Sequence, residues 1–170
     1  LPHQRSLLQF LDFDLDHRLL QNVQAMDYTH PTPIQSATIP HALAGRDVLG
    51  SAETGTGKTA AFLLPLQHRL LASPGGHDPR ALILVPTREL ARQVWNEAQT
   101  ICGGVGLRTV AVYGGVGYGA QIDALKQGAH IVVGTPGRVL DHLLKRTLTL
   151  EHLKLLIFDE ADRMLSMGFY

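Results

Sequence analysis

The chain has 170 residues, fifteen Lys plus Arg against fifteen Asp plus Glu, a formal net charge of zero and an apolar content of 45%. That length and apolar content suit one domain able to bury a substantial core, and they exclude a disordered tail. The charge balance leaves no global field to draw the chain to nucleic acid or acidic lipid, so any such contact has to rest on local sites.

The single cysteine, Cys102, excludes an internal disulfide and any Cys/Cys or Cys/His zinc spacing. Nine histidines stand scattered without an HExxH-like grouping. No transition metal is expected, and a reducing cytoplasm is the expected location. The longest apolar runs, such as 81–85 and 155–158, fall far short of the ~20 residues needed to cross a bilayer, so no membrane partner is expected. The chain opens at Leu1 without a signal-like apolar block and reads as a segment of a longer soluble protein.

In chain order, Leu15, Leu19, Leu20, Val23 and Met26 recur at helical spacing behind Asp14 and Asp16, and predict an amphipathic helix over about 16–26. A short Pro-rich turn follows. Thr32 before Pro33 has the arrangement of an N-cap followed by proline at the first helical position, and opens a second helix ending near Gly45. The period then changes. Five short apolar runs, 48–51, 81–85, 109–113, 131–134 and 155–158, alternate with helical stretches over 58–71, 88–101, 118–127 and 138–144. This is a βαβ alternation, and strands nearly continuous in apolar residues predict an α/β fold with a mostly parallel sheet covered by helices on both faces. Ligands of such a sheet bind at the carboxyl ends of its strands.

The segment Ala52-Glu53-Thr54-Gly55-Thr56-Gly57-Lys58-Thr59 follows the first run and opens a helix. It matches the phosphate-loop pattern G-x-x-x-x-G-K-[ST] everywhere but its first position, where Ala52 stands. Glycines let backbone N–H groups turn inward on phosphate oxygens, and the helix N-terminus adds its positive dipole end. Lys58 then reaches the β and γ phosphates, and the Thr59 hydroxyl is a ligand for Mg²⁺.

At the other end of the chain the run 155–158 delivers Asp159-Glu160-Ala161-Asp162. Beside a phosphate loop in one parallel sheet, Asp159 is the carboxylate expected to hold Mg²⁺, partly through water. Glu160 is the carboxylate that orients and deprotonates an attacking water. Asp162 reads as a structural or coupling residue.

Together these segments resemble the DEAD-box RNA helicases. Phe10, Tyr28-Thr29-His30-Pro31-Thr32-Pro33-Ile34-Gln35, the phosphate loop, Pro86-Thr87-Arg88-Glu89-Leu90-Ala91, Gly114-Gly115, Thr135-Pro136-Gly137-Arg138 and Asp159-Glu160-Ala161-Asp162 stand in that family's order and at its spacing. Ala is usual there at the position of Ala52. The resemblance implies an N-terminal helical region with an adenine-recognition motif over 1–35 and a RecA-like ATP-binding domain over 36–170, incomplete at its C-terminus. Gln35 would read the adenine edge with its amide, and Tyr28 would lie against the base; an amide has the donor and acceptor that this edge requires, and a phenol ring has the stacking face. Asp27 departs from the pattern, in which Gly is common.

The same resemblance makes Pro86, Thr87, Arg88, Gly114, Gly115, Thr135, Pro136, Gly137 and Arg138 the grip on an RNA sugar-phosphate backbone, indifferent to base sequence. Thr87 and Thr135 also suit helix N-capping, and one hydroxyl can fill both roles. Arg88 has a second reading as a partner of an acidic side chain within the lobe. The implied activity is ATP-dependent local separation of RNA duplexes, with ATP and Mg²⁺ as cofactors and a second RecA-like lobe of the same polypeptide as partner. Two alternatives stand beside it: a DNA helicase or translocase of the same superfamily, and an RNA clamp that binds ATP without turning it over. In the family a Ser-Ala-Thr segment lies beyond the acidic motif and ends a strand between the first and the last of the five. The expectation is therefore that a chain ending at Tyr170 leaves that slot open and is inactive alone.

Overall fold

The computed structural model describes residues 7–169; residues 1–6 of the N-terminal region and Tyr170 lie outside the described residues. The chain divides into two compact units, residues 1–72 with 101–105 and residues 73–100 with 106–170.

The first unit is helical. A 3-10 turn, Phe10–Asp12, buries Phe10 and leads into helix α1, His17–Ala25. Asp16 caps α1 by accepting the Arg18 backbone N–H, and its own backbone N–H donates to His68 Nδ1 at 2.9 Å. The Arg18 guanidinium beside it holds the Asp16 carboxyl down to about 2. The end of α1 is a Schellman turn: the Asp27 N–H donates to the Gln24 carbonyl and the Tyr28 N–H to the Val23 carbonyl. This turn requires a left-handed residue, and Asp27 fills it at φ +59°. The glycine common in the family at this position is thereby explained: without a Cβ it adopts that backbone at no steric cost.

Helix α2, Pro33–Leu43, starts at Pro33 behind Thr32 as the sequence pattern predicts. It packs on α3, Lys58–Ala72, whose Leu63, Leu64, Leu66 and Leu70 are buried. Between them the run 48–51, expected as the first strand, is not one. Residues 46–53 have no regular structure, and Val48 and Leu49 are exposed. A strand owes every ladder hydrogen bond to a neighbour, and none of the described residues pairs with this run, so its apolar content alone does not make it a strand.

The second unit is the sheet. Strands β1 (Ala81–Leu84), β2 (Thr109–Val112), β3 (Ile131–Gly134) and β4 (Leu155–Phe158) lie in the order β2-β3-β1-β4, all parallel. The connections carry α4 (Arg88–Ile101), α5 (Gly119–Lys126) and α6 (Pro136–Leu144), and α7 (Ala161–Ser166) follows β4. The four strands and α3 to α6 agree with the runs predicted from periodicity to within two residues at each end, whereas α7 has no counterpart among them. The architecture is the α/β, RecA-like arrangement. On one face Leu82, Val110, Val112 and Val132 pack against Leu125, Ala129, Val139 and Leu148. Gly134 is needed at the end of β3: a Cβ there would lie 2.7 Å from the Val112 carbonyl oxygen and from Val139 Cγ2. The outer edge of β4 has no strand partner among the described residues, and Leu156 and Phe158 are about half exposed, at 49% and 56%.

Candidate functional site

In the first unit the phosphate loop turns through Gly55 at φ +84° and Gly57 at φ +81° before α3 begins at Lys58. Both glycines hold left-handed backbone, which an L side chain rarely adopts. The Thr56 hydroxyl donates to the Glu53 carbonyl and steadies the turn. Ala52, Thr56, Gly57, Lys58 and Thr59 are half-buried, while Glu53, Thr54 and Gly55 are exposed.

Gln35 is buried at 2% exposure, and both ends of its amide are engaged. Its Oε1 accepts the Thr32 N–H at 2.9 Å, and its Nε2 donates to the Gly57 carbonyl at 3.0 Å. The residue assigned to adenine thus touches the phosphate loop directly. A Cβ on Gly57 would meet its Nε2, so Gly57 is required for this approach as well as for its own φ. Tyr28 stacks on Phe10 with ring centroids 6.3 Å apart and remains 40% exposed, with one aromatic face covered by the protein.

In the second unit the register Val112↔Gly134↔Leu84↔Phe158 brings the carboxyl ends of all four strands to one edge. The ladder runs one residue further. Val85 N–H donates to the Gly134 carbonyl, Thr135 N–H to Val112, and Asp159 N–H to Leu84. Pro86-Thr87-Arg88, Gly114-Gly115, Thr135-Pro136-Gly137 and Asp159-Glu160 therefore leave the sheet side by side, in a row about 15 Å long at the usual strand spacing.

Within that row, Thr87 caps α4, its Oγ1 accepting the Leu90 N–H at 3.3 Å. Thr135 precedes Pro136 at the start of α6 but makes no such side-chain cap bond. Arg88 takes its in-lobe reading, with Nε 3.2 Å from Glu89 Oε1. It also lies against the glycine pair: a Cβ on Gly115, at φ +79°, would be 2.8 Å from an Arg88 terminal nitrogen. Both Arg88 and Glu89 are mostly exposed, so this ion pair constrains the arginine weakly.

At the end of β4, Asp159 is buried at 3% exposure. Glu160 sits in left-handed backbone, φ +53° and ψ +49°, an unfavourable conformation for a non-glycine residue that persists at functional turns when its surroundings enforce it. Its Oε2 is 3.3 Å from an Arg163 terminal nitrogen. Asp162 is exposed in the first turn of α7.

Arg138, the last residue of the expected RNA grip, turns into its own unit. It is buried at 8% exposure, with one terminal nitrogen donating to Gln121 Oε1 at 3.2 Å and the other to the Val116 carbonyl at 2.9 Å. Its guanidinium carbon lies 4.0 Å from the centre of the Tyr118 ring. Sequence reasoning missed the residues around it, Tyr118, Gln121 and His142, as well as Glu97 on α4. Burial, and then the negative charge of Asp159, pushes the Glu97 carboxyl above its ordinary value. Nothing in the local pattern of these four residues signals such neighbours. They meet through the packing of elements distant in sequence.

The parallel α/β unit and its motif-bearing edge define a RecA-like domain. A sequence model of the DEAD/DEAH box helicase family matches residues 32–170, and the chain belongs to that family. It is 48% identical over 163 residues to the ATP-dependent RNA helicase CshA of Listeria monocytogenes, covering 96% of this chain and 31% of that protein. It is 46% identical over 167 residues to the ATP-dependent RNA helicase RhlB of Pasteurella multocida, covering 96% and 40%. To the DEAD-box ATP-dependent RNA helicase CshA of Bacillus cereus it is 47% identical over 160 residues, covering 94% and 30%. The chain thus spans 30 to 40% of the length of these relatives.

Proposed function

We propose that this chain is the ATP-binding lobe of an RNA helicase, which couples ATP hydrolysis to local separation of RNA duplexes together with a second RecA-like lobe. Family membership over residues 32–170, joined to the in-register parallel ladder that brings four motif loops to one edge, carries this reading. Gln35 and Tyr28 take the adenine; Ala52, Glu53, Thr54, Gly55, Thr56, Gly57, Lys58 and Thr59 take the phosphates. The present engagement of Gln35 with the Gly57 carbonyl supports a reader in direct touch with the phosphate loop.

The Thr59 hydroxyl and the Asp159 carboxylate are hard oxygen donors of the kind that would hold magnesium, which would neutralise charge on the phosphate oxygens. Glu160 accepts the proton of the attacking water. Pro86, Thr87, Arg88, Gly114, Gly115, Thr135, Pro136 and Gly137 form the loops that hold the RNA backbone, through backbone amides, hydroxyls and the Arg88 guanidinium, with Arg138 behind them. Asp162 couples the acidic turn to motion between lobes. Residues 1–170 alone should turn over little ATP, because the family resemblance assigns part of the hydrolysis to a coupling segment and to arginines of the second lobe.

We place the protein in the cytoplasm. Cys102 is buried and its thiol is pushed up to about 12 by that burial, so it is no redox handle. No described helix is long and apolar enough to cross a membrane.

The decisive experiment is Glu160→Gln in the full encoded protein. An amide fills the same volume but cannot accept the proton, so ATP turnover should fall by at least ~10²-fold while ATP and RNA binding persist. Turnover near wild type would remove Glu160 from its role. A wild-type protein that binds RNA and ATP without RNA-stimulated turnover would favour the clamp, and stimulation by single-stranded DNA alone would favour the DNA translocase.

A further inference from the structure

We propose that Arg138 is a positioning residue, not a phosphate ligand: through a buried network with Gln121 and His142 it sets the shape of the Gly114–Tyr118 loop that faces RNA. The proposal rests on the RNA reading above for its functional consequence, and on contacts within one unit for its mechanism.

The guanidinium has its terminal nitrogens on Gln121 Oε1 and the Val116 carbonyl, and a face on the Tyr118 ring. Its contacts thus fall on the loop and on α5, the two segments that follow β2. A phosphate ligand needs its guanidinium in solvent, whereas this side chain is 8% exposed.

The network is closed around the Gln121 amide. Gln121 Nε2 donates to the Tyr113 carbonyl at 2.9 Å, which anchors the near end of the loop. Its Oε1 must face Arg138, because a guanidinium only donates. The same Oε1 lies 2.8 Å from His142 Nε2, so that nitrogen bears the hydrogen and Nδ1 accepts from the Thr147 hydroxyl at 2.8 Å. His142 is fully buried in α6 and locks Gln121 from below. The Tyr118 hydroxyl donates to Asp141 at 2.8 Å and fixes the far end of the loop. Tyr113, Val116 and Tyr118 are therefore each tied to Arg138, Gln121 or α6. Gly114, half-buried, and Gly115, exposed, lie between these tied residues and take their direction from them.

The planar fork matters here. Arg138 binds two acceptors at fixed angles while stacking on a ring; a lysine ammonium at the same charge reaches one acceptor at most in that geometry. A phosphate, in contrast, also accepts a lysine ammonium as a point charge, so the lysine variant keeps the charge such a ligand needs while losing the fork that the Gln121 and Val116 acceptors need.

The test uses the full encoded protein, with oligouridine as the RNA probe across a salt series, and amide hydrogen exchange of residues 115–117 measured without RNA. The variants are Arg138→Lys, Arg138→Gln and Gln121→Met, the last leaving Arg138 in place. All three should raise loop exchange about tenfold and weaken RNA binding about tenfold, the scale of a lost buried hydrogen bond to a charged group. The slope of log affinity against log salt should stay at the wild-type value. Arg138→Lys behaving as wild type in exchange and affinity overturns the proposal. So does a slope lowered by about 0.7 in Arg138→Gln alone, the signature of one lost phosphate contact on a single strand. If the wild-type protein binds no RNA, raised exchange still supports the positioning role while the RNA reading fails, and unchanged exchange overturns the positioning role by itself. Should Gln121→Met melt below the assay temperature, Arg138→Lys decides, since it keeps the charge and most of the volume.

Discussion

Residue by residue, the chain shows where local chemistry and local strain meet. Asp27 holds φ +59° to close the Schellman turn after α1, at the position where the family commonly has glycine. An Asp in that region is strained relative to Gly, while Gly loses more freedom on folding. Asp27→Gly should therefore stabilise the chain by a net few tenths to about 1 kcal/mol, seen as a higher urea midpoint at unchanged m-value. A lower midpoint would show that the Asp side chain contributes more than its backbone costs.

Two histidines supply a pH dependence. His130 Nδ1 accepts the Arg108 backbone N–H at 2.8 Å, and burial, then the charges of Arg80 and Arg108, hold its pKa below the ordinary 6.5. His142 is lowered by burial and then by Arg138. Both bind protons more readily in the unfolded chain. Their stability is fully present above about pH 6.5 and is lost as pH falls through the lowered folded values. Unfolding free energy should decline from about pH 7 to about pH 5.5, with a shallower decline in His130→Asn. A rise over that interval would reverse the assignment.

At the scale of elements, the helix starts and the four paired strands were legible because their signals are local. Thr32-Pro33 marks α2, the shift from helical spacing to short apolar runs marks β1 to β4, and helices α1 to α6 each begin within two residues of their predicted starts, while the short α7 carries no such signal. The run 48–51 carries the same apolar signal but is not a strand among the described residues, since pairing is a property of two segments. Gly134 shows the opposite case. Its sequence context is merely a strand end, yet the packed sheet leaves no room for a methyl between the Val112 carbonyl and Val139. Gly134→Ala should destabilise by about 1–3 kcal/mol, because one of the obstructing atoms is backbone and cannot turn away. A thermal midpoint equal to wild type would mean that β2 and β3 yield more readily than a close-packed sheet does.

For the molecule as a whole, zero net charge means that recognition comes from sites rather than from a general field. A nucleotide that binds only the folded state raises its stability by mass action, by about 2.7 kcal/mol at a hundredfold excess over Kd. ADP with magnesium should raise the thermal midpoint and GDP at the same concentration should not, and Gln35→Ala should collapse the difference. Equal shifts by both nucleotides in the wild-type chain would remove Gln35 from adenine reading.

The sequence by itself determined the α/β class, the order of the four paired strands and of helices α1 to α6, the motif positions and the family, because periodicity, caps and ordered motifs are written in neighbouring residues. Only the tertiary structure decided that Arg138 turns inward to Gln121 and Val116, that Gln35 reaches the Gly57 carbonyl, that Glu97 feels the charge of Asp159 and that Glu160 sits in left-handed backbone. The contacts among them join residues far apart along the chain. Which donor meets which acceptor is settled when helices and strands pack, since a side chain's spacing in sequence sets the face it occupies and not the partner that face will meet.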